Sequence, residues 1–476
     1  MSRIVFIEPK SPNLHIYSQF VLPRLGCIIL RTLMTNRGWD ADLFIEQIHP
    51  IDLNKIRGAD LVGISTITST APRAYEIADK IRAMGIPVIM GGPHVTFLTE
   101  EALEHCDYVI RGEGEQALMS FIDAWETDKD FSSVPNLSYK PGDQIIHIPN
   151  APPIHNLDSL PYPDFTDALD KPRLFMPRTI PVQTSRGCPF DCTFCSVTGM
   201  FGRRYRYRST ENIITELRRY NSRKNEIFFY DDNFTADRKR AKELLQTMIT
   251  EKFRFKWSTQ VRADIAKDIE LVGLMKNAGC HTVYIGLESV NPESLKGMNK
   301  KQTVDDIKKA VHVLRRYGIN VHGMFVFGFD EDDWKTVKRT IRFAKKSRLT
   351  SSQFLILTPL PGSQFFDRIT SENRVLFHDW ALYDAHHVVF KPALFTLKGL
   401  QKAQMSGHAR FYSFRETIKH LLHFQWVAVA VAHYARKLNR SWKKKNATFL
   451  KAIDLLTPRK DVTITLDFQQ TNHLDN

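Results

Sequence analysis

Cysteine is scarce in this chain, six in 476 residues. So few thiols cannot staple a secreted fold of this size, and they point to a reducing compartment. The chain runs straight into a strand at Ile4, so a signal or transit peptide is not expected. No apolar run approaches the roughly 18 residues needed to cross a bilayer. Internal repeats and low-complexity tracts are not apparent, which sets aside solenoids and disordered arrays. The glycine set of a dinucleotide fingerprint is missing after the first strand. Acidic residues are scarce in one place. Residues 401–460 carry 13 Lys+Arg against 2 Asp+Glu, a balance of +11 out of a net +14. The rest of the chain is therefore nearly neutral, which argues against a general nucleic-acid-binding surface on the body. A cytoplasmic protein is expected.

Half of the cysteines are concentrated. Cys188, Cys192 and Cys195 lie in Ser-Arg-Gly-Cys-Pro-Phe-Asp-Cys-Thr-Phe-Cys, with the spacing CxxxCxxC. Three thiolates in a place where an iron–sulfur cubane takes four ligands leave one iron without a protein ligand. An open metal position is where a small molecule binds and reacts. A structural zinc site would need a fourth Cys or His at finger spacing, and none stands nearby. Cys27, Cys106 and Cys280 are scattered singly and read as small buried hydrophobes.

At 476 residues, 43% hydrophobic and 25% charged, the chain is sized for two or three soluble domains. Strand patterns at 3–8, 41–45, 60–65, 87–90 and 108–111 are interleaved with helical patterns at 22–38 and 71–84. Such alternation predicts a doubly wound parallel sheet over residues 1–130, with ligands at the carboxyl ends of the strands. Small and polar residues gather there: Ser65, Thr66 and Thr68; Gly91, Gly92, Pro93 and His94; Gly112, Glu113 and Gly114. Residues 131–178, punctuated by proline, read as a linker with a short hairpin at 136–148.

From 179 to 365, six strand patterns recur at 181–185, 226–230, 256–261, 282–287, 320–327 and 353–357. The first five are followed by helical stretches, at 210–223, 236–252, 264–277, 304–317 and 334–347. Six βα-like units predict a partial TIM-type barrel with its chemistry at the C-terminal strand ends. The first end carries the cysteine loop. Later ends carry Asp231-Asp232-Asn233, Arg262, Glu288, Gly323 to Gly328, and Pro361-Gly362.

The cysteine stretch resembles the radical S-adenosylmethionine (SAM) enzymes, whose signature is CxxxCxxC with an aromatic before the last Cys, here Phe194. The resemblance implies a 4Fe-4S cluster held by Cys188, Cys192 and Cys195, with SAM chelated by the open iron. One electron then cleaves SAM to a 5′-deoxyadenosyl radical. Asp232 occupies the region that other members use for the SAM amino group, although their Gly-Gly-Glu segment is missing. Glu288 matches a carboxylate aimed at the SAM ribose or amino end, and a carboxylate suits hydroxyl donors. Arg262 could pair with the methionine carboxylate or form a rim salt bridge. Gly323 and Gly328 would admit backbone close to adenine.

Gly-Ile-Ser, Gly-Gly-Pro-His and Arg-Gly-Glu-Gly-Glu, placed ahead of such a core, resemble the cobalamin-binding domain of the cobalamin-dependent radical SAM family. Their backbone amides and hydroxyls would hold the corrin side-chain amides and nucleotide tail. The DxHxxG motif that supplies a cobalt-ligating His is absent, and His15 reads as a loop residue. The resemblance implies methylation of an unactivated carbon by way of the 5′-deoxyadenosyl radical and methylcobalamin. Radical cyclisation or rearrangement with the same cofactors is the alternative. A tRNA methylthiotransferase would need further cysteines for a second cluster, and only Cys27 and Cys106 are available. A non-enzymatic cobalamin or redox sensor would not need the polar strand ends.

The run Arg203 to Arg208, alternating Arg and Tyr, is assigned local roles around the cysteine loop or the ligands rather than nucleic-acid binding. Residues 366–476 read as a mainly helical, basic extension. His386 and His387 read as packed loop residues. A helix at 417–438, rich in Leu, Trp and Val, precedes the basic stretch 436–445. It reads either as an interfacial anchor for anionic lipid, making the protein peripheral to the membrane, or as a packed helix with a solvated end. The expected partners are a small-molecule or lipid-like substrate and an electron donor such as flavodoxin or ferredoxin. Residues 461–476 read as a polar tail.

Overall fold

The computed structural model describes residues 2–13, 22–166, 168, 178–422 and 424–456. His15, the end of the expected linker and the tail 461–476 lie outside the described residues. Two large sheets organise the chain. The first contains β1 (Arg3–Glu8), β2 (Asp40–Ile45), β3 (Leu61–Ser65), β4 (Val88–Gly91), β5 (Tyr108–Ile110), β6 (Leu137–Tyr139) and β7 (Ile146–His147), in the order β2-β1-β3-β4-β5-β6-β7. Strands β1 to β5 are parallel, as the alternating pattern predicts. Strands β6 and β7 are antiparallel and form the hairpin expected at 136–148. The hairpin is part of this sheet, so the sheet runs past residue 130.

Next come β8 (Arg178–Val182), the short antiparallel pair β9 (Ser185–Arg186) and β10 (Arg206–Tyr207), and then β11 (Asn225–Phe229), β12 (Lys256–Val261), β13 (Cys280–Glu288), β14 (Asn320–Phe327) and β15 (Ser351–Ile356). The second sheet is ordered β15-β14-β13-β12-β11-β8, the six strands of the expected partial barrel. The pairs β12–β13, β13–β14 and β14–β15 are parallel. By compactness the chain divides into one unit of Met1–Pro12, Phe20–Pro189 and Ser196–Ile227, and another of Asn13–Gln19, Phe190–Cys195 and Phe228–Asn476.

Local chemistry explains the elements. Ile4, Val5, Phe6 and Ile7 of β1 are all buried, the continuous apolar run of a strand covered on both faces. The helix Leu25–Arg37 ends where Gly38 turns left-handed at φ 96° and donates back to Met34 and Thr35. A reciprocal Thr303–Asp306 capping box starts the helix Val304–Arg316. In the first unit, Phe6, Phe121, Phe131 and Leu137 share the core. In the second, Phe229, Phe234 and Trp257 pack with ring centroids 5.1–5.5 Å apart.

Two expectations change. The helix expected at 264–277 begins as a tight 3-10 turn, Ala263–Lys267, before the α-helix Ile269–Asn277, and Asp268 caps the latter. The single helix expected at 417–438 is two helices, Phe414–Leu422 and Trp426–Lys445. Phe424 adopts φ 54° between them, a conformation no helix interior accommodates.

Candidate active site

The cysteine loop starts at a forced turn. Gly187 has φ 84°, and a Cβ there would lie 2.6 Å from the Arg204 carbonyl oxygen, so only glycine fits between β9 and the loop. All three loop cysteines are free thiols; Cys192 is buried, and Cys188 and Cys195 are half-buried. A strap from the segment after β13 holds the loop. The Thr193 N–H donates to Met298 O at 3.2 Å, and Asn299 Nδ2 donates to Asp191 O at 2.9 Å. From the other direction, the Phe365 N–H donates to Thr193 O at 2.8 Å.

Arg262, at the end of β12, is buried over this loop. Its guanidinium carbon stands 3.6 Å from the centre of the Phe190 ring. Nη1 lies 3.9 Å from Cys192 Sγ, and Nη2 donates to the Lys300 carbonyl. A fixed cation thus stands beside the buried sulfur, where it would offset the negative charge of a metal-bound cysteine. The donor set therefore fits an iron–sulfur cluster. Among the described residues no three His, Cys, Asp or Glu side chains converge closely enough for a single ion, but a four-iron cluster is a larger body and spreads its ligands wider. Of the two roles expected of Arg262, the rim salt bridge is not formed among the described residues. Its terminal nitrogens are directed to Cys192 and to a backbone carbonyl.

Glu288, at the end of β13, has φ 58° and is 6% exposed. The β13–β14 register shifts there. A non-glycine residue in that conformation beside a bulge is a point of backbone strain that its surroundings must hold. Lys300 Nζ donates to its Oε1 at 2.6 Å. A Cβ on Gly286 would stand 2.2 Å from Glu288 Oε1 and 2.9 Å from Lys300 Nζ, so that glycine makes room for the pair. Gln302 Nε2 donates to the carbonyls of Gly286 and Leu287, both at 3.2 Å. Asp232 keeps an accessible carboxyl, while burial by the surrounding protein and the neighbouring Asp231 push it up to about 6. Phe194 stands edge-on to Phe329, with centroids 6.0 Å apart.

Gly328 has φ 113°, and the Leu400 side chain lies 2.9 Å from where a Cβ would sit, so the backbone conformation here calls for glycine. Asp332 closes the same turn. It accepts from the N–H groups of Gly328 and Phe329 at 3.1 and 3.2 Å and from Ser294 Oγ at 2.7 Å.

In the first unit, β3, β4 and β5 are neighbours, so the loops after them lie side by side at one sheet edge. Ser65 pairs with Gly91 in register, and the Thr66 N–H donates to Gly91 O at 3.0 Å. The hydroxyls of Thr66 and Thr70 are 3.0 Å apart. Thr68 is 8% exposed. Gly92 has φ 101°, and a Cβ there would lie 2.5 Å from Thr66 O. Gly112 has φ 68° with open space where its Cβ would be, and Pro93 and Gly114 each open a helix. The edge is a ledge of bare backbone, which a broad ligand can approach closely.

Two residues assigned to this ledge are otherwise engaged. His94 is wholly buried, 3.3 Å from Glu101. Glu113 accepts from Arg206 at 2.6 and 2.9 Å and from the Ile154 N–H at 2.8 Å. Arg186 joins the same buried group through Glu113, at 3.5 Å, and also pairs with Glu115. Arg208 is likewise bound to Glu216 and to Asn212, the latter at 2.7 Å. Within the arginine run, Arg206 and Arg208 are thus held in buried structural ion pairs. Each half of this network stood in the sequence, but nothing in either motif indicated the pairing.

Lys300, Gln302 and Asp332 were missed because they lie in connections with no periodic pattern. His387 bonds Asp384 at 2.9 Å and Asn446 at 2.8 Å in a sealed interior, so it is a packed loop residue as expected. His386, also buried, bonds Gln404 at 2.9 Å. Burial raises the thiols of Cys27 to about 12 and of Cys106 still further; both are packed in the core, which leaves no exposed pair for a second cluster.

The Radical SAM superfamily model matches residues 182–344, and the B12 binding domain model matches residues 15–122. The chain is 35% identical over 367 residues to an uncharacterized methyltransferase of Pyrococcus horikoshii, covering 74% of this chain and 78% of that protein. It is 31% identical over 397 residues to the bacteriochlorophyllide d C-12(1)-methyltransferase of Chlorobaculum tepidum, covering 82% of each. Among solved structures, the radical SAM methyltransferase TsrM of Kitasatospora setae, with cobalamin and a 4Fe-4S cluster bound, aligns with TM-score 0.66 at 19% identity, over 78% of each chain. OxsB, with aqua-cobalamin and SAM bound, aligns with TM-score 0.68 at 16% identity, over 95% of this chain and 75% of that one.

Fold and site thus define an enzyme of two cofactor domains. The chain belongs to the cobalamin-binding radical SAM enzymes, which work with a 4Fe-4S cluster, SAM and cobalamin.

Proposed function

We propose that this chain is a C-methyltransferase acting on an unactivated carbon of a small-molecule or lipid-like substrate. The observation that carries the reading is the CxxxCxxC loop joined, in one chain, to B12-binding sequence over 15–122, in a protein 35% and 31% identical to two named methyltransferases. When bound, the family's cofactors supply a radical from SAM and a methyl group from cobalt. The chain's part is to bind, orient and exclude water. Cys188, Cys192 and Cys195 would hold the cluster, with Arg262 countering the thiolate charge. Glu288, fixed by Lys300, would accept from the SAM ribose. Asp232, raised to about 6, is largely ionised at neutral pH and would accept from the SAM amino group. Backbone amides and hydroxyls of Ser65, Thr66, Thr68, Gly91, Gly92, Pro93, Gly112 and Gly114 would line the corrin. A flavodoxin- or ferredoxin-like donor would supply the electron.

The test is anaerobic purification with cluster reconstitution and added cobalamin, measuring iron content and corrin absorbance together. Both should be retained, and SAM should yield 5′-deoxyadenosine. Iron without corrin would sink the cobalamin assignment. Undiminished 5′-deoxyadenosine from Cys192→Ala would refute the cluster's role. A second reading, ring formation with the same cofactors, is favoured by 29% identity over 384 residues to the anaerobic magnesium-protoporphyrin IX monomethyl ester cyclase of Cereibacter sphaeroides. Product mass separates the two, because methylation adds one carbon and cyclisation removes hydrogen.

A further inference from the structure

We infer that the helix Phe414–Leu422 and the turn that follows it form a docking surface for an anionic lipid bilayer. This rests on neither cofactor. The helix wears its apolar stripe outward. Phe414, Ile418, Leu421 and Leu422 are 70%, 43%, 44% and 71% exposed, whereas Thr417 is buried. Their spacing of i, i+4, i+7 and i+8 is that of a single face, which in a core-packed helix points inward. Phe424 and Trp426 extend the patch at 78% and 62% exposed. Thirteen large apolar side chains are exposed among the described residues, and six of them fall between 414 and 426, so the patch is a concentration rather than scatter.

The turn presents the patch as a tip. Phe424, at φ 54°, reverses the chain, the Gln425 N–H donates to His420 O at 2.9 Å, and Gln425 Oε1 meets His420 Nδ1 at 2.7 Å.

Beside the tip is a cleft of about 590 Å³ between this segment and the helix Trp334–Lys346, lined by seven cations and one carboxylate. Glu416, that carboxylate, is held by Lys345 at 2.9 Å and Lys419 at 3.1 Å. Among the described residues Lys338, Arg342, Lys346, Arg410 and Arg415 form no ion pair. Uncompensated cations in a cleft lined by the same helix that carries the exposed apolar stripe complement one surface chemistry, acyl chain beneath phosphate headgroup. Nucleic acid would use the cations and the rings but gives the aliphatic Ile418, Leu421 and Leu422 nothing to enter. No helix among the described residues is long and apolar enough to cross a membrane, so the attachment would be interfacial.

The test uses the full chain and sedimentation with phosphatidylcholine vesicles, with and without phosphatidylglycerol. Binding to the phosphatidylglycerol vesicles alone is expected, with a blue shift in tryptophan emission that Trp426→Phe diminishes. High salt should weaken it. Leu422→Asp with Phe424→Asp, and separately Lys346→Glu with Arg415→Glu, should each lower partitioning roughly tenfold or more. All four side chains are exposed, so thermal unfolding should not move, which separates lost docking from lost folding. Equal binding to both vesicle types, or none, overturns the inference. So does displacement from vesicles by inorganic phosphate or by single-stranded RNA at unchanged ionic strength, which would mark an anion pocket or a nucleic-acid surface. A dimer in solution that Leu422→Asp dissociates would assign the patch to a second copy and overturn it too.

Discussion

Arg262 joins three residues that sequence spacing does not connect: its guanidinium lies over Phe190, reaches Cys192 and donates to the carbonyl of Lys300. Lysine could supply the charge but not the planar stack or the fork. Arg262→Lys should therefore keep part of the reconstituted iron and Arg262→Met much less. A charged hydrogen bond is worth about 1.5–3 kcal/mol. Losing it should slow 5′-deoxyadenosine formation by roughly 10- to 100-fold. The neighbouring pair Glu288–Lys300 is buried on both sides, with 7% and 10% of the side chains exposed. Lys300→Met alone strands a buried carboxylate and should cost about 3–5 kcal/mol in urea unfolding. Adding Glu288→Gln should recover most of that loss, and failure to recover would show that the two do not act as a pair. Glu288 was legible because it ends a strand in a motif. Lys300 was not, because it lies in a connection where only tertiary contact gives it a role.

At the scale of elements, strands β12 and β14 have the bounds the apolar pattern predicts, 256–261 and 320–327, because each is a buried run between polar turns. The break at Phe424 escaped notice because the apolar pattern on either side continues unbroken, and only backbone conformation records it. The strand-end glycines differ in a way the sequence hides. Gly92 and Gly112 both have positive φ, but only Gly92 faces a backbone atom within contact range. Gly112→Ala should cost about 1–2 kcal/mol, the strain of a left-handed residue. Gly92→Ala must also push Thr66 O away and should cost more in thermal unfolding and release corrin.

The β14–β15 layer carries a pH dependence. Burial pushes His322 down to about 3, helped by His408, and pushes His408 down to about 4. Unfolded, each takes a proton near pH ~6.5. Their contribution is therefore complete above that pH and lost as pH falls, by about 1.4 kcal/mol per unit for each histidine. Asp332, raised to about 6 by burial, works in the opposite sense between about pH 4 and 6, so the net loss is smaller. The urea midpoint should drop on going from about pH 7 to 5, and His322→Gln should drop less, by up to about 2 kcal/mol.

Over the whole molecule, the B12-binding match at 15–122 and the cysteine loop belong to separate stretches of sequence, and apart from the buried pairs of Glu113 with Arg206 and Glu115 with Arg186 each site is furnished from its own surroundings. The ledge at Ser65, Gly92 and Gly112 is made by the parallel strands β3, β4 and β5 of a sheet that contains none of the three loop cysteines. Arg262, Met298 and Asn299, which hold the cysteine loop, come from none of the strands of that sheet. Loading of one cofactor should then be insensitive to loss of the other. Cys192→Ala should bring bound iron near zero while corrin absorbance after cobalamin addition stays within about twofold of the parent, since no ledge contact is touched. Gly92→Ala should do the reverse, with iron per chain retained and corrin lost at temperatures where the variant is still folded. Both variants should fail to turn over, because the methyl-transfer reaction needs both groups. If Cys192→Ala instead lost corrin in proportion to iron, the two sites would be thermodynamically coupled, and the coupling free energy would follow from the ratio of cobalamin affinities with and without the cluster.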